Sequence, residues 1–139
     1  MPDYGLIWPR ARVLVADDDP HVRQLNRRLL AEEGFEVVEA ADGVAAVELL
    51  EREPVTVAVI DLRMPRLEGD ALGGLIAARW PETAMVFVTG HPDHYRRQDL
   101  PGPLLVKPYY LAELVALVHR LVDNPRHRPP ELAERGRGR

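Results

Sequence analysis

Val57-Ala58-Val59-Ile60-Asp61-Leu62-Arg63-Met64-Pro65-Arg66-Leu67-Glu68-Gly69 is an apolar run that stops on a carboxylate and then turns. The residues before Asp61 show no polar–apolar alternation, as expected of a strand covered on both faces. Such strands belong to parallel sheets layered with helices. An aspartate ending one is ordinarily a turn residue or a helix cap. Here three other apolar runs also end on polar residues. Val13-Leu14-Val15-Ala16 leads into Asp17-Asp18-Asp19, Ala84 to Val88 into Thr89, and Leu104 to Val106 into Lys107.

Between these runs the apolar period changes from strand to helix. Asp19-Pro20 reads as a cap followed by the first helical residue, since proline has no amide to lose there. Val22, Leu25, Leu29 and Leu30 follow at helical spacing, and Gly34 is placed to end that helix. Phe35 to Glu39 predicts a second strand, and Asp42-Gly43 opens a helix with Val44, Val47 and Leu50 on its apolar face. Val55 to Ile60 predicts the central strand. Leu72, Leu75 and Ile76 mark a third helix, ended by Trp80-Pro81. The last helix begins near Tyr110 and carries Leu111, Leu114, Val115, Val118, Leu121 and Val122 as one core-facing stripe. Five alternations of strand and helix predict an α/β fold, a five-stranded parallel sheet with helices on both faces. In such sheets functional groups gather beyond the carboxyl ends of the strands. Asp17, Asp61, Thr89 and Lys107 all fall there.

The chain has 139 residues, enough for one domain with a sizeable core. The expected division is a loose leader over 1–11, a folded body over 12–122, and an Arg/Pro-rich tail over 123–139. The tail holds five arginines against three acidic residues and has too few apolar side chains to fold alone. A net charge of -4 argues against generic nucleic-acid binding. The absence of cysteine excludes disulfides, thiolate metal sites and cysteine nucleophiles. Met1 to Arg12 lacks the pattern of a signal peptide, and no apolar run is long enough to span a bilayer. A cytoplasmic protein without membrane contact is expected.

Clustered carboxylates at Asp17, Asp18 and Asp61 repel one another and raise one another's pKa unless a cation sits among them. Magnesium suits that place, since it takes oxygen ligands and needs only one or two carboxylates plus a phosphate oxygen. The other reading is a surface charge group feeding helix caps, and Asp19 fits it. A carboxylate can attack phosphorus to give an acyl phosphate. Metal on one side and an ammonium such as Lys107 on the other would neutralise the phosphoryl oxygens. Thr89 offers a hydroxyl donor. Its plainer reading is a hydroxyl satisfied by its own loop backbone.

The order Asp17-Asp18, Asp61 with Met64-Pro65 and Gly69 behind it, Thr89, and Lys107-Pro108 resembles the receiver domain of two-component response regulators. The likeness spans about residues 12–122. It implies strand order 2-1-3-4-5 and a single-domain phosphorelay switch that accepts phosphate on Asp61. The donor would be a histidine kinase or a histidine phosphotransfer protein. Magnesium would be held by Asp17, Asp18, the Asp61 carboxylate and the Arg63 backbone carbonyl, with Thr89 and Lys107 on the phosphoryl group. Such a protein is a monomer or weak homodimer that catalyses only its own phosphorylation and dephosphorylation. It signals by protein contact or onward phosphotransfer.

The chain departs from that family in two places. Leu104 stands where many members carry an aromatic that moves with the threonine. The segment from Thr89 to Lys107 is short, with Gly90, Pro92, Pro101, Gly102 and Pro103, and leaves room only for a short or mobile fourth helix. Thr89-Gly90 without that aromatic resembles a subgroup of receivers. Arg63 and His91, each two residues beyond a site residue, are placed to tune the phosphate's lifetime or to face solvent. Three rival readings stand beside the switch. One is a pseudo-receiver scaffold, against which the intact acidic pair, threonine and lysine argue. Another is an aspartyl-nucleophile phosphatase, against which Arg63 argues by replacing a second acid. The third is a receiver fragment of a larger regulator or hybrid kinase.

Overall fold

Each predicted strand forms in the computed structural model, which describes residues 10–124. The strands are β1 (Arg12–Ala16), β2 (Glu36–Ala40), β3 (Val57–Asp61), β4 (Ala84–Thr89) and β5 (Leu104–Val106). All pair in parallel, in the order β2-β1-β3-β4-β5. Among the described residues four α-helices complete the fold: α1 (Pro20–Glu32), α2 (Gly43–Arg52), α3 (Gly69–Arg79) and α4 (Leu111–Val122). The reading of a leader and tail falls mostly outside the described residues.

The unbroken apolar runs have the predicted cause. Every residue of β3 and β4 is buried, and successive side chains enter two different cores. Leu14, Ala58, Ile60, Met85, Phe87 and Leu104 point to the face covered by α2 and α3 through Ala46, Leu50, Leu72 and Ile76. Val13, Val15, Val57, Val59, Val86 and Leu105 point to the opposite face, covered by Leu30 of α1 and Leu114 and Val118 of α4. Asp19 caps α1 as expected, its carboxylate accepting from the amides of His21 and Val22 with Pro20 first in the helix. Asp42 caps α2 by accepting from the Ala45 amide at 2.8 Å.

Several boundaries and faces differ from the sequence reading. β2 and β3 each end one residue later than expected, and β4 takes in Thr89, so Asp61 and Thr89 are the last residues of their strands. Asp17 and Lys107 lie just beyond theirs. Leu25 and Val44 are exposed although they share the helical spacing of core residues. The buried side of α2 is Gly43, Ala46 and Leu50, because small residues let that helix lie close to the sheet.

The fourth α-helix of the predicted alternation is absent. Two single 3₁₀ turns, Pro92–His94 and Arg97–Asp99, take its place. Tyr95 and Leu100 are the apolar residues of that stretch packed against the core, and their spacing of five fits no helical face. Held by two packed side chains, by Arg97 donating to the Leu104 carbonyl at 3.2 Å and by few backbone bonds, the segment should open locally. Amide exchange over 93–100 should run at least about a thousandfold faster than in β3. Equal protection of the two regions would show this connection to be as firmly built as the central strand.

Candidate functional site

Register places the polar strand ends together. Ala16 pairs with Ile60, which puts Asp17 beside Asp61 on neighbouring strands. Asp61 pairs with Val88, and Thr89 with Val106, so Thr89 and Lys107 lie one step further along on the other side. The strand order reverses between β1 and β3, where open α/β sheets leave a crevice at the carboxyl ends. Of the predicted residues, Asp17, Asp18, Asp61 and Lys107 meet at one site, with Arg63 and Thr89 in the turn and strand end that flank it.

The carboxylates of Asp17, Asp18 and Asp61 bring one oxygen each to within 4.8 Å of the others. Asp17 and Asp61 are buried and Asp18 is exposed. Backbone amides hold the two buried groups. Asp17 Oδ1 accepts from the Asp19 amide at 2.9 Å, and Asp61 Oδ1 accepts from the Arg63 amide at 3.0 Å. Burial, and secondarily the Asp61 charge, push the Asp17 carboxyl up to about 6 despite the Asp19 amide. Lys107 Nζ stands 3.5 Å from Asp61 Oδ2, an ion pair too long for a strong hydrogen bond. Burial would lower the Lys107 ammonium, but Asp61 and Asp17 outweigh it and hold its pKa above the ordinary value.

Thr89 is buried, and its Oγ1 accepts from the His91 amide at 2.9 Å, the local satisfaction anticipated for a lone threonine. Its hydroxyl hydrogen remains available for donation. The Thr89 carbonyl also accepts from the Lys107 amide at 2.8 Å, tying the two strand ends together. Arg63 exposes its side chain, and among the described residues nothing donates to its carbonyl. His91 is exposed and its ring stacks on His94 at 5.2 Å.

The donor set fits a divalent oxygen-seeking cation. Three carboxylates and a free carbonyl are present, and a buried acid there is costly to ionise without a counter-charge. Sequence reasoning missed Arg23, which donates to the Asp17 carbonyl at 2.8 Å and pairs with Glu39 at 3.1 Å. It also missed Asn26, buried and donating to the Tyr109 hydroxyl at 3.3 Å behind Lys107. Glu39 and Tyr109 lie on other elements, so no local spacing announces those contacts. Gly69 shows why glycine follows the turn, since a Cβ there would collide with the Asp61 carbonyl.

A response regulator receiver domain model matches residues 13–119. The transcriptional regulatory protein PdtaR of Mycobacterium tuberculosis is 33% identical over 116 residues, covering 81% of this chain and 57% of that protein. The chain thus spans little more than half of that relative. The response regulator receiver protein CpdR of Brucella abortus is 28% identical over 115 residues, covering 80% of this chain and 96% of that one. The structure of the response regulator protein TrrA from Thermotoga maritima, in complex with Mg2+-BeF, matches with a TM-score of 0.71 and 25% identity. That match covers 80% of this chain and 98% of that chain.

A carboxyl with a raised folded-state pKa favours folding while protonated, and that contribution is lost as pH rises through the folded value. In divalent-free buffer, Asp17→Asn should therefore be more stable than the wild type above about pH 6, with the gap closing toward about pH 4. Urea unfolding across that range measures it, and an unchanged gap would show that Asp17 carries no ionisation cost. Gly69→Ala should destabilise the fold although alanine ordinarily adds about 1 kcal/mol to a helix. A variant as stable as the wild type would mean the turn yields easily at Asp61.

Proposed function

The chain belongs to the response regulator receiver domain family, and from that premise we propose that Asp61 is its phosphate acceptor and Asp17, Asp18, Thr89 and Lys107 its working partners. Receiver domains are signalling domains phosphorylated by histidine kinases or phosphotransfer proteins. The observation carrying the assignment is Asp61 at the tip of β3, with two acids on one side and the Lys107 ammonium 3.5 Å away on the other.

In the proposed reaction an Asp61 carboxylate oxygen attacks the phosphorus of a phosphohistidine. The O–P bond forms as the N–P bond breaks, and the bonding pair stays on the donor's imidazole nitrogen. The Arg63 amide orients the carboxylate for that attack. Lys107, held protonated by the surrounding acids, sets a fixed positive charge against the transferred phosphoryl oxygens. The Thr89 hydroxyl hydrogen donates to one of those oxygens while Oγ1 keeps the His91 amide. Magnesium, held by the Asp17, Asp18 and Asp61 carboxylates and the Arg63 carbonyl, would supply the remaining charge neutralisation. The Mg2+-BeF complex of TrrA supports that choice of ion.

The folded module is taken as 12–122, with the leader and the basic tail as appendages, acting in the cytoplasm as a monomer or weak dimer. It catalyses only its own phosphorylation and dephosphorylation, and passes its state on by protein contact or onward transfer. A groove of about 410 Å³ lined by Val22, Leu25, Lys107, Tyr109 and Leu111 gives the donor an apolar footing beside the site. The partial coverage of PdtaR favours a second arrangement, the same module serving as one part of a longer regulator.

Incubation with a small acyl-phosphate donor and magnesium should add one phosphate by intact mass. Asp61→Asn and chelation of the metal should each abolish the adduct, and Lys107→Ala should slow its formation at least about tenfold. Equal labelling of Asp61→Asn would place the phosphate elsewhere.

A further inference from the structure

The loop from Leu62 to Glu68 carries Arg63, whose amide orients Asp61. The Gly69 amide closes it on the Leu62 carbonyl at 3.0 Å, and it is held at three further points. Just past its end Gly69 lies so near the Asp61 carbonyl that a Cβ would collide with it, and near its end Leu67 packs so closely on Gly43 that a Cβ there would collide with the Leu67 backbone. The third point is Arg66, whose Nη2 lies 3.1 Å from Asp42 Oδ1. That oxygen already accepts from the Ala45 amide as the cap of α2, so one carboxylate joins the loop to a helix on a different strand crossover.

Arg66 is also the one non-glycine at positive φ among the described residues, with φ 69°. An L-residue there costs about 1 kcal/mol or more, which glycine avoids. A side chain kept in an unfavourable backbone position directs attention to what that side chain does. Here it is the guanidinium. An isolated surface pair would be worth little, but this pair joins a capped helix terminus to the loop holding a proposed metal ligand.

We propose that the Arg66–Asp42 ion pair is a positioning tie that holds the Leu62–Glu68 loop, and the Arg63 carbonyl within it, in the shape that binds a divalent cation with Asp17, Asp18 and Asp61. The inference rests on the reading of that carboxylate cluster as a magnesium site. It makes cation affinity depend on a residue outside the ligand set and on the ionic strength around an exposed pair.

The test is calorimetric titration of the full chain with Mg2+ at low salt, comparing wild type, Asp42→Asn, Arg66→Gly and Arg66→Lys. Asparagine caps a helix as well as aspartate does, so Asp42→Asn removes the charge and keeps α2. Arg66→Gly removes the guanidinium and eases the backbone. Both should raise the Mg2+ Kd about three- to fivefold, and the double variant should be no weaker than either single one. Arg66→Lys should recover part of the loss, and the ratio to wild type should shrink toward one in about 0.5 M salt. Variants that bind Mg2+ like the wild type would overturn the tie while leaving the cation site standing. A wild type that takes up no Mg2+ would overturn the cation site, and the tie with it.

Discussion

Two buried carboxylates side by side are the constraint on which the site depends. Pairing of Ala16 with Ile60 leaves Asp17 and Asp61 no freedom to separate, because their strands are the middle of the sheet. At the 4.8 Å limit on their separation, two unit charges repel by about 3 kcal/mol at an effective dielectric near 20. Lys107 at 3.5 Å opposes this with an attraction of the same order, weakened because about a third of its side chain is exposed. One ammonium thus balances roughly one carboxylate. The Asp19 and Arg63 amides ease the remainder without cancelling it, and exposed Asp18 adds a further negative charge. The surplus is what a divalent cation would neutralise there, as the proposed chemistry requires.

The sequence made much of this legible because the sheet is buried on both faces. Unbroken apolar runs are rare enough that Asp61, Asp17, Thr89 and Lys107 stand out at their ends. Helical faces were read less well. Leu25 and Val44 keep the helical period yet face outward, since period alone does not say how wide the covered stripe is. Arg23 behind Asp17, Asn26 behind Lys107 and Arg66 across to Asp42 were invisible for a different reason. Each joins elements whose relative placement is set by packing, and no sequence interval encodes that distance.

The β4–β5 connection ties the site to the surface through backbone contacts, with no aromatic at position 104. Leu104 pairs with Phe87 and is buried in the α2–α3 core, so it serves as packing. Thr89 is nonetheless wired into its surroundings through the backbone. Its hydroxyl oxygen takes the His91 amide and its carbonyl takes the Lys107 amide. In the proposed reaction, a displacement of Thr89 would therefore act on the segment that begins at His91 and on Lys107 at once.

The two sides of Asp61 are accordingly built for different tasks. On the β3–α3 side, Gly69 and Gly43 permit contacts closer than any side chain would allow, and Arg66 is held by Asp42 at a strained φ. Movement there would break packing that cannot be remade by rotamer changes, so Asp61, the proposed nucleophile, and the proposed ligands keep their geometry. On the β4–β5 side, one ten-residue stretch rests on Tyr95, Leu100, the Arg97 bond to Leu104 and 3₁₀ bonds, a set of contacts far sparser than those of the β3–α3 side. A switch needs both properties close together, since chemistry depends on a fixed site and signalling depends on a loose neighbour. In this chain Thr89 stands at the boundary between them.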